Sequence, residues 1–282
     1  MAGIEVVAEG LAFPEGPVVM ADGSVIVVEI MAGRVTRCWN GRSEAICEPG
    51  GGPNGAAIGP DGALYVCNNG GMAHAGPSPG PGRIERVDLA TGKVDRVYDS
   101  CDGTMLSAPN DLMFDCDGQM WFTDLGKMLG DVKEMGGLYC ASPDGSRIAR
   151  IKSRAFSYNG VGISPDMTTV YAADTFSARL YAFDRRIEEQ EGRYVATGQG
   201  EVMFDSLAMA VSGNVCVATI GYGVTTITPK GEVRTHAFDD PYVTNIAFGG
   251  PDMMDAWLTF SGRGALVRTR WDEPGMPLLY NG

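Results

Sequence analysis

Residues 108–124 read APNDLMFDCDGQMWFTD and contain the pattern that decides the fold. A polar residue, Asn110, is followed by a short apolar run, an Asp-Gly turn and a second apolar run that ends on Asp124. Two strand-like runs joined through Asp-Gly are typical of a β-hairpin. This stretch therefore predicts two antiparallel strands, with a side-chain amide near the start of the first.

The same pattern occurs six times along the chain. The other copies are FPEGPVVMADGSVIVVE (13–29), GGPNGAAIGPDGALYVCN (51–68), SYNGVGISPDMTTVYAAD (157–174), MFDSLAMAVSGNVCVAT (203–219) and YVTNIAFGGPDMMDAWLT (242–259). Each copy carries one oxygen-bearing residue at the same place, which we call its lead residue; these are Glu15, Asn54, Asn110, Asn159, Asp205 and Asn245.

The intervals between lead residues indicate a β-propeller. They are 39, 56, 49, 46 and 40 residues long, and each holds about four short strands, which is the content of one propeller blade. We therefore predict an all-β fold, a six-bladed β-propeller with four-stranded antiparallel blades around a central channel. The repeats run from end to end, so residues 1–282 are predicted to form a single domain.

Composition restricts the partners and the location. The net charge of −13 over 282 residues repels nucleic acid and anionic lipid surfaces, and no apolar run is long enough for a membrane span. The seven cysteines lack CxxC spacing and several lie in apolar runs, so we expect reduced thiols in a cytoplasmic protein. The expected oligomeric state is a monomer or a weak homo-oligomer.

Two segments lengthen the second and third blades. They are GGMAHAGPSPGPGR (70–83) and LGKMLGDVKEMGG (125–137), and each follows the second strand of its blade. We predict that they lie together at one mouth of the channel and cover it.

The lead residues predict a polar ring that suits a cation. Equivalent positions on the innermost strands of a propeller face the channel, so two carboxylates and four amides converge. Two carboxylates in a partly dry channel repel each other unless one is protonated or a cation lies between them. The all-oxygen set suits a hard divalent cation. Asn and Asp also favour turns for local reasons, which is the alternative for any single copy.

The quoted segments resemble the senescence-marker-protein/gluconolactonase family of six-bladed propellers. FPEGP, APNDL…FTD, YNG…SPD…YAADT and NIAFGGPD carry the resemblance. It implies one divalent metal ion on the axis, preferably Ca²⁺, with Mg²⁺, Mn²⁺, Fe²⁺ and Zn²⁺ as alternatives. Its ligands, mapped by motif, are Glu15, Asn110, Asn159 and Asp205.

The resemblance also implies a metal-dependent lactonase, a hydrolase that opens a small-molecule lactone. The metal would polarise the carbonyl and activate a water. Asp205 and Asn110 are the candidate catalytic residues, and Asp205 acts either as the general base or as the nucleophile. Two alternatives are hydrolysis of an organophosphate triester at the same site and a non-catalytic, ligand-binding propeller.

Further residues are candidates for substrate binding. We expect Asn54 and Asn245 to act from the ring, and Asp124, Lys127, Met128, His74 and Tyr222 from its borders. Some sugar-lactone members of the family have Arg where this chain has Ala108, and the family's Pro- and Tyr-containing stretch after FTD is replaced by residues 125–128. Both differences make the mouth less polar, so the substrate is expected to be a sugar lactone or a more apolar, aromatic lactone.

Overall fold

A computed structural model describes residues 3–71 and 80–281 and contains six four-stranded sheets. The chain begins with β1 (Glu5–Ala8), which joins the last blade. Blade 1 consists of β2 (Pro14–Val19), β3 (Val25–Glu29), β4 (Arg34–Trp39) and β5 (Arg42–Cys47). Blade 2 consists of β6 (Pro53–Ile58), β7 (Leu64–Asn68), β8 (Arg83–Val87) and β9 (Val94–Tyr98).

One small hairpin precedes blade 3, and a second lies between the second and third strands of that blade. The first hairpin is β10 (Ser100–Cys101) with β11 (Thr104–Met105). The blade itself starts with β12 (Pro109–Phe114) and β13 (Met120–Asp124). The second hairpin is β14 (Met128–Leu129) with β15 (Val132–Lys133), and the blade ends with β16 (Gly136–Ala141) and β17 (Ile148–Ala155).

The remaining blades have the same order. Blade 4 consists of β18 (Tyr158–Ile163), β19 (Thr169–Asp174), β20 (Arg179–Asp184) and β21 (Arg193–Thr197). Blade 5 consists of β22 (Met203–Met209), β23 (Val215–Ile220), β24 (Gly223–Ile227) and β25 (Val233–Ala237). Blade 6 consists of β26 (Val243–Gly249), β27 (Asp255–Phe260) and β28 (Ala265–Arg270), with β1 as its outermost strand.

The first strands of the six blades form a closed ring. Each of them contacts the first strands of both neighbouring blades, and β2 contacts β26 as well as β6. The predicted six-bladed propeller is therefore confirmed. Burial decreases outward: β6 and β7 are buried along their whole length, whereas no residue of β5 is fully buried.

The Asp-Gly turns predicted from the sequence join consecutive strands. Gly23, Gly62 and Gly118 connect the first and second strands of blades 1, 2 and 3, and each has a φ between 74° and 82°. Glycine adopts this left-handed region without steric cost. In these turns the glycine N–H donates to the carbonyl three residues earlier, for example Gly23 to Met20 at 2.9 Å.

All seven cysteines are free, as predicted. Five of them are buried, and burial raises the pKa of the Cys140 thiol to about 12. Among the residues that the structure describes, no helix is long and apolar enough to cross a membrane.

Candidate functional site

A β-bulge lies at or beside the lead residue of every blade. In β2, for example, Glu15 pairs with Val28 and Val18 pairs with Ile26, so three steps along β2 match two along β3. The other five first strands have equivalent register shifts. Bulges redirect side chains locally. The lead residues lie near the start of these strands, and all six are buried. We call the end of the channel beside them the proximal mouth.

Close packing between neighbouring blades explains the glycine that follows some lead residues. A Cβ atom on Gly160 would lie 2.7 Å from the carbonyl oxygen of Asp205 and 2.7 Å from the N of Leu207. A Cβ on Gly16 would lie 2.7 Å from the carbonyl oxygen of Asn54. These distances are shorter than van der Waals contact, so the close approach of the first strands requires glycine.

Glu15 and Asn245 join the first blade to the last. The Asn245 side-chain N–H donates to Glu15 Oε2 at 2.9 Å, and the Gly16 backbone N–H donates to the same oxygen at 3.0 Å. The Asn245 Oδ1 accepts from the Ile246 N–H at 2.8 Å. Asn245 is thus a partner of Glu15, and it also lines a cavity within the channel, called here the channel cavity.

In the part of the chain that the structure describes, two buried amide oxygens lack a hydrogen-bond partner. They are Oδ1 of Asn110 and Oδ1 of Asn159. The amide nitrogen of Asn159 donates to Thr175 Oγ1 at 3.1 Å, which fixes the side chain. A buried polar atom without a partner costs about 1–3 kcal/mol. A cation bound to these two oxygens would relieve this cost.

Burial raises the pKa values of two lead carboxyl groups. The pKa of Glu15 is about 7, because burial disfavours its charged form more than its hydrogen bonds favour it. The pKa of Asp205 is also well above its ordinary value, first through burial and then through the charge of Glu15. Without a bound cation these groups therefore hold protons more tightly than exposed carboxyls.

Asp111 is a third buried carboxyl group of the channel, and the residues predicted from the sequence do not include it. Burial, followed by the charge of Glu15, raises its pKa to about 7. Its Oδ1 accepts from the Leu112 N–H at 2.9 Å, and it lines the channel cavity. The aligned repeats contain the signal, because Asp111 occupies the position of Gly16, Gly55 and Gly160 in the other blades.

The ring residues fit a hard divalent cation only when amides are included as ligands. Within residues 3–71 and 80–281, no three His, Cys, Asp or Glu side chains form a group that could hold a metal ion. The unpartnered oxygens of Asn110 and Asn159 would supply the two additional donors beside Glu15 and Asp205. Carboxylate and amide oxygens are the donors that Ca²⁺ and Mg²⁺ prefer.

A protein-family comparison matches residues 13–262, nearly the whole propeller, to the model described as "SMP-30/Gluconolactonase/LRE-like region". This chain belongs to that family. As an SMP-30/gluconolactonase family member, it is 31% identical to the gluconolactonase of Zymomonas mobilis over 196 residues, which cover 61% of this chain and 51% of that protein. The chain spans about half the length of the curated relatives it matches.

Solved structures support the family fold. A gluconolactonase from Xanthomonas campestris superposes with a TM-score of 0.79 and 23% identity, covering 95% of this chain and 89% of that one. A protein described as calcium-binding, regucalcin from Agrobacterium tumefaciens, superposes with a TM-score of 0.74 and 18% identity, covering 98% of both chains. At these identities the likeness concerns the fold alone.

In this SMP-30/gluconolactonase family member, Asp124 and Asp174 hold the starts of first strands. Asp124 accepts the backbone N–H groups of Ser107, Ala108 and Gly126, each at 2.8 Å. Asp174 accepts from the Ser157 N–H at 3.0 Å. Both Asp124 carboxylate oxygens thus accept hydrogen bonds from backbone N–H groups. Asp124, predicted as a substrate contact, is therefore not part of the proposed metal and substrate site.

The other predicted border residues lie around the proximal mouth. The Lys127 amine donates to the Gly80 carbonyl at 2.5 Å, so the two long segments meet there, as predicted. Met128 and Tyr222 are about half exposed, in the β14–β15 hairpin and the β23–β24 turn. His74 lies outside the described residues, so neither its predicted contact nor the predicted cover by residues 72–79 is tested. Asn54 is buried in β6.

The last residues of this family member close the opposite, distal mouth. Met276 N–H donates to the Met209 carbonyl at 2.7 Å, and the Tyr280 ring packs edge-on against Phe114 with 6.1 Å between centroids. A cavity of about 90 Å³ lies within the channel, lined by these tail residues and by Asp111 and Asn245. These tail residues therefore restrict access to the channel from the distal mouth.

Proposed function

We propose that this chain is a divalent-metal-dependent hydrolase that opens the ring of a lactone. The observation that carries the proposal is the pair of unpartnered, buried amide oxygens on Asn110 and Asn159, in a channel shared with Glu15 and Asp205. Membership of a family that contains gluconolactonases supports the reaction class. A small-molecule lactone is the corresponding partner.

Glu15, Asn110, Asn159 and Asp205 would hold the metal ion. We favour Ca²⁺ because every donor is a hard oxygen atom, and because a structural relative is described as calcium-binding. When bound, such an ion supplies Lewis acidity toward a carbonyl oxygen and lowers the pKa of a water.

The chain's own residues would orient the metal ligands and transfer protons. Asn245 orients the Glu15 carboxylate through its 2.9 Å hydrogen bond. As the general base, Asp205 takes a proton from the attacking water; the bond between the carbonyl carbon and the ring oxygen breaks, and the proton passes to that oxygen to give a hydroxy acid. In the alternative, Asp205 attacks the carbonyl carbon itself, the bond between that carbon and the ring oxygen breaks, and the freed oxygen takes a proton from solvent. Water then hydrolyses the resulting mixed anhydride, which restores the Asp205 carboxyl and releases the hydroxy acid.

Chelation tests the proposal directly. The protein is stripped with EDTA and assayed on a panel of γ- and δ-lactones, without metal and after addition of Ca²⁺, Mg²⁺, Mn²⁺, Fe²⁺ or Zn²⁺. We expect loss of hydrolysis on stripping and recovery with at least one ion. Hydrolysis that is unaffected by stripping, or that is absent with every ion, refutes the proposal.

Two further measurements separate the alternatives. A phosphotriester that is hydrolysed faster than every lactone would replace the proposed substrate class. An ion that raises the melting temperature while the protein turns over no lactone and no phosphotriester would indicate a binding propeller. The cytoplasmic location remains a prediction, supported by the seven free cysteines.

A further inference from the structure

Apolar side chains that are exposed, or in the case of Phe13 partly exposed, border the proximal mouth on four adjacent blades. On blades 1, 4, 5 and 6 they lie two or three residues before the lead residue or in the neighbouring turns. We call this set the aromatic wall. It consists of five aromatic residues and one methionine, namely Phe13, Phe156, Phe176, Met203, Tyr222 and Tyr242. Phe156 and Phe176 are each 49% exposed, and Tyr242 is 45% exposed. Large apolar side chains grouped on a surface mark binding sites more often than isolated ones do.

Two aromatic pairs place the wall beside predicted metal ligands. Phe156 and Phe176 contact edge to face, with 5.8 Å between ring centroids. Phe156 lies three residues before Asn159, and Phe176 follows Thr175, the hydrogen-bond partner of the Asn159 amide. These rings are thus anchored to the same short segments as one of the unpartnered amide oxygens.

The second pair connects blades 1 and 6. Phe13 and Tyr242 have centroids 6.2 Å apart. They lie two residues before Glu15 and three before Asn245, which are hydrogen-bonded to each other. The wall therefore continues across the contact between these blades.

The backbone of Phe13 is strained. Its φ of 59° lies in the left-handed region, which bulky residues rarely adopt. The Ile30 N–H donates to its carbonyl at 3.1 Å and fixes this conformation. Such strain costs about 1–3 kcal/mol and is concentrated at functional sites.

Four basic side chains near this mouth are engaged by the protein itself. Arg34 pairs with Glu29 at 2.6 Å, and Arg263 pairs with Asp240 at 3.3 Å. Lys127 and Lys133 donate to the carbonyls of Gly80 and Leu125, both at 2.5 Å. These cations are therefore less available to grip the hydroxyls or the charge of a sugar acid.

We propose that the substrate is a lactone with an apolar substituent that packs on the aromatic wall while the lactone carbonyl lies at the polar ring. This inference rests on the proposed function and names its substrate class. The occupant is the substituent of the substrate because the wall is continuous with the lead residues rather than separate from them. Full burial of a methylene group favours binding about fourfold, so a half-exposed wall should give about twofold per methylene.

The test uses δ-lactones with 6-alkyl chains from methyl to heptyl, with glucono-δ-lactone for comparison. We expect kcat/KM to rise about twofold per methylene and to exceed that for glucono-δ-lactone at the longest chains. The double variant Phe176→Ser, Tyr242→Ser should flatten this dependence. The control Ile187→Ser, Tyr194→Ser changes two exposed side chains away from the mouth and should retain it. A chain-length dependence that is flat, or equal in the wall variant and the wild type, overturns the proposal.

A binding measurement separates this inference from the proposed function. Titration calorimetry with 6-alkyl δ-lactams of the same lengths reports wall contacts without turnover. One outcome is that lactam binding tightens with chain length and weakens in the wall variant although no lactone is opened. That result would support the aromatic wall as a binding site and refute the hydrolase proposal. Lactam binding that is independent of chain length, or self-association of the wild type that the wall variant abolishes without a change in lactam binding, overturns the wall as a substrate site.

Discussion

Calcium binding should depend strongly on pH, because the Glu15 carboxyl must be ionised to act as a ligand. Its pKa of about 7 in the metal-free protein means that ionisation at pH 5 costs about 2.7 kcal/mol, or roughly 100-fold in affinity. At pH 8 the group is about nine-tenths ionised and the cost nearly disappears. Asp205, whose pKa is also raised, adds to the effect in the same direction. We therefore expect the calcium Kd to be at least about 100-fold weaker at pH 5 than at pH 8.

The metal-free protein should show the opposite trend in stability. The pKa of Glu15 is raised from 4.5 to about 7 on folding. The stability that this group contributes is complete below about pH 4.5 and is lost as pH rises through about 7, a change of about 3 kcal/mol. Buried Asp111, also with a pKa of about 7, acts in the same direction. Saturating calcium should remove the loss, so the calcium-induced rise in melting temperature should increase with pH.

The assay is titration calorimetry of EDTA-stripped protein with CaCl₂ from pH 5 to pH 8, combined with thermal unfolding. Glu15→Gln keeps an oxygen that can accept from Asn245 but has no proton to lose, so its pH dependence should be smaller. Glu44→Gln, at an exposed position of β5, should behave as the wild type. A calcium Kd that changes less than about threefold between pH 5 and pH 8 would refute the reasoning, because a ligand with a pKa near 7 requires a larger change.

Other variants test separate parts of the structure. Asp205→Asn should lower kcat/KM for lactones by about 100-fold or more; unchanged turnover contradicts the assigned role. Gly160→Ala should lower the free energy of unfolding by about 1–3 kcal/mol, because its Cβ would meet the β22 backbone at 2.7 Å. In urea denaturation Gly3→Ala, with open space around it, is the control, and equal stabilities argue against the close approach. Asp124→Ala leaves three backbone N–H groups without acceptors and should destabilise by about 2–4 kcal/mol; Asp131→Ala in the exposed β14–β15 turn should not.

Most of the fold could be predicted because its signals are local. Strand alternation and Asp-Gly turns depend on neighbouring residues, and six copies at intervals of 39 to 56 residues leave few architectures other than a propeller. The burial of the lead residues follows from that architecture. The position of β1 as the outermost strand of blade 6 could not be inferred this way, because β1 resembles any short exposed strand.

The details of the site depend on contacts that are distant in sequence. Glu15 and Asn245 are 230 residues apart, and only closure of the ring brings them together. Asp111 enters the channel because β12 is bulged between Pro109 and Leu112, which the alternation of residue types does not reveal. The tail over the distal mouth has no periodic pattern either, and its position follows from packing of Tyr280 on Phe114.

The pairing of β1 with β28 has a consequence for biosynthesis. Glu5 and Arg268, which are joined by a 2.6 Å ion pair, are 263 residues apart in the sequence, so β1 leaves the ribosome long before β28. A nascent chain must therefore keep β1 unpaired until β28 has emerged, and the toroid can close only after both strands have been translated. Until then, the unpaired edge is a site for association with other strands.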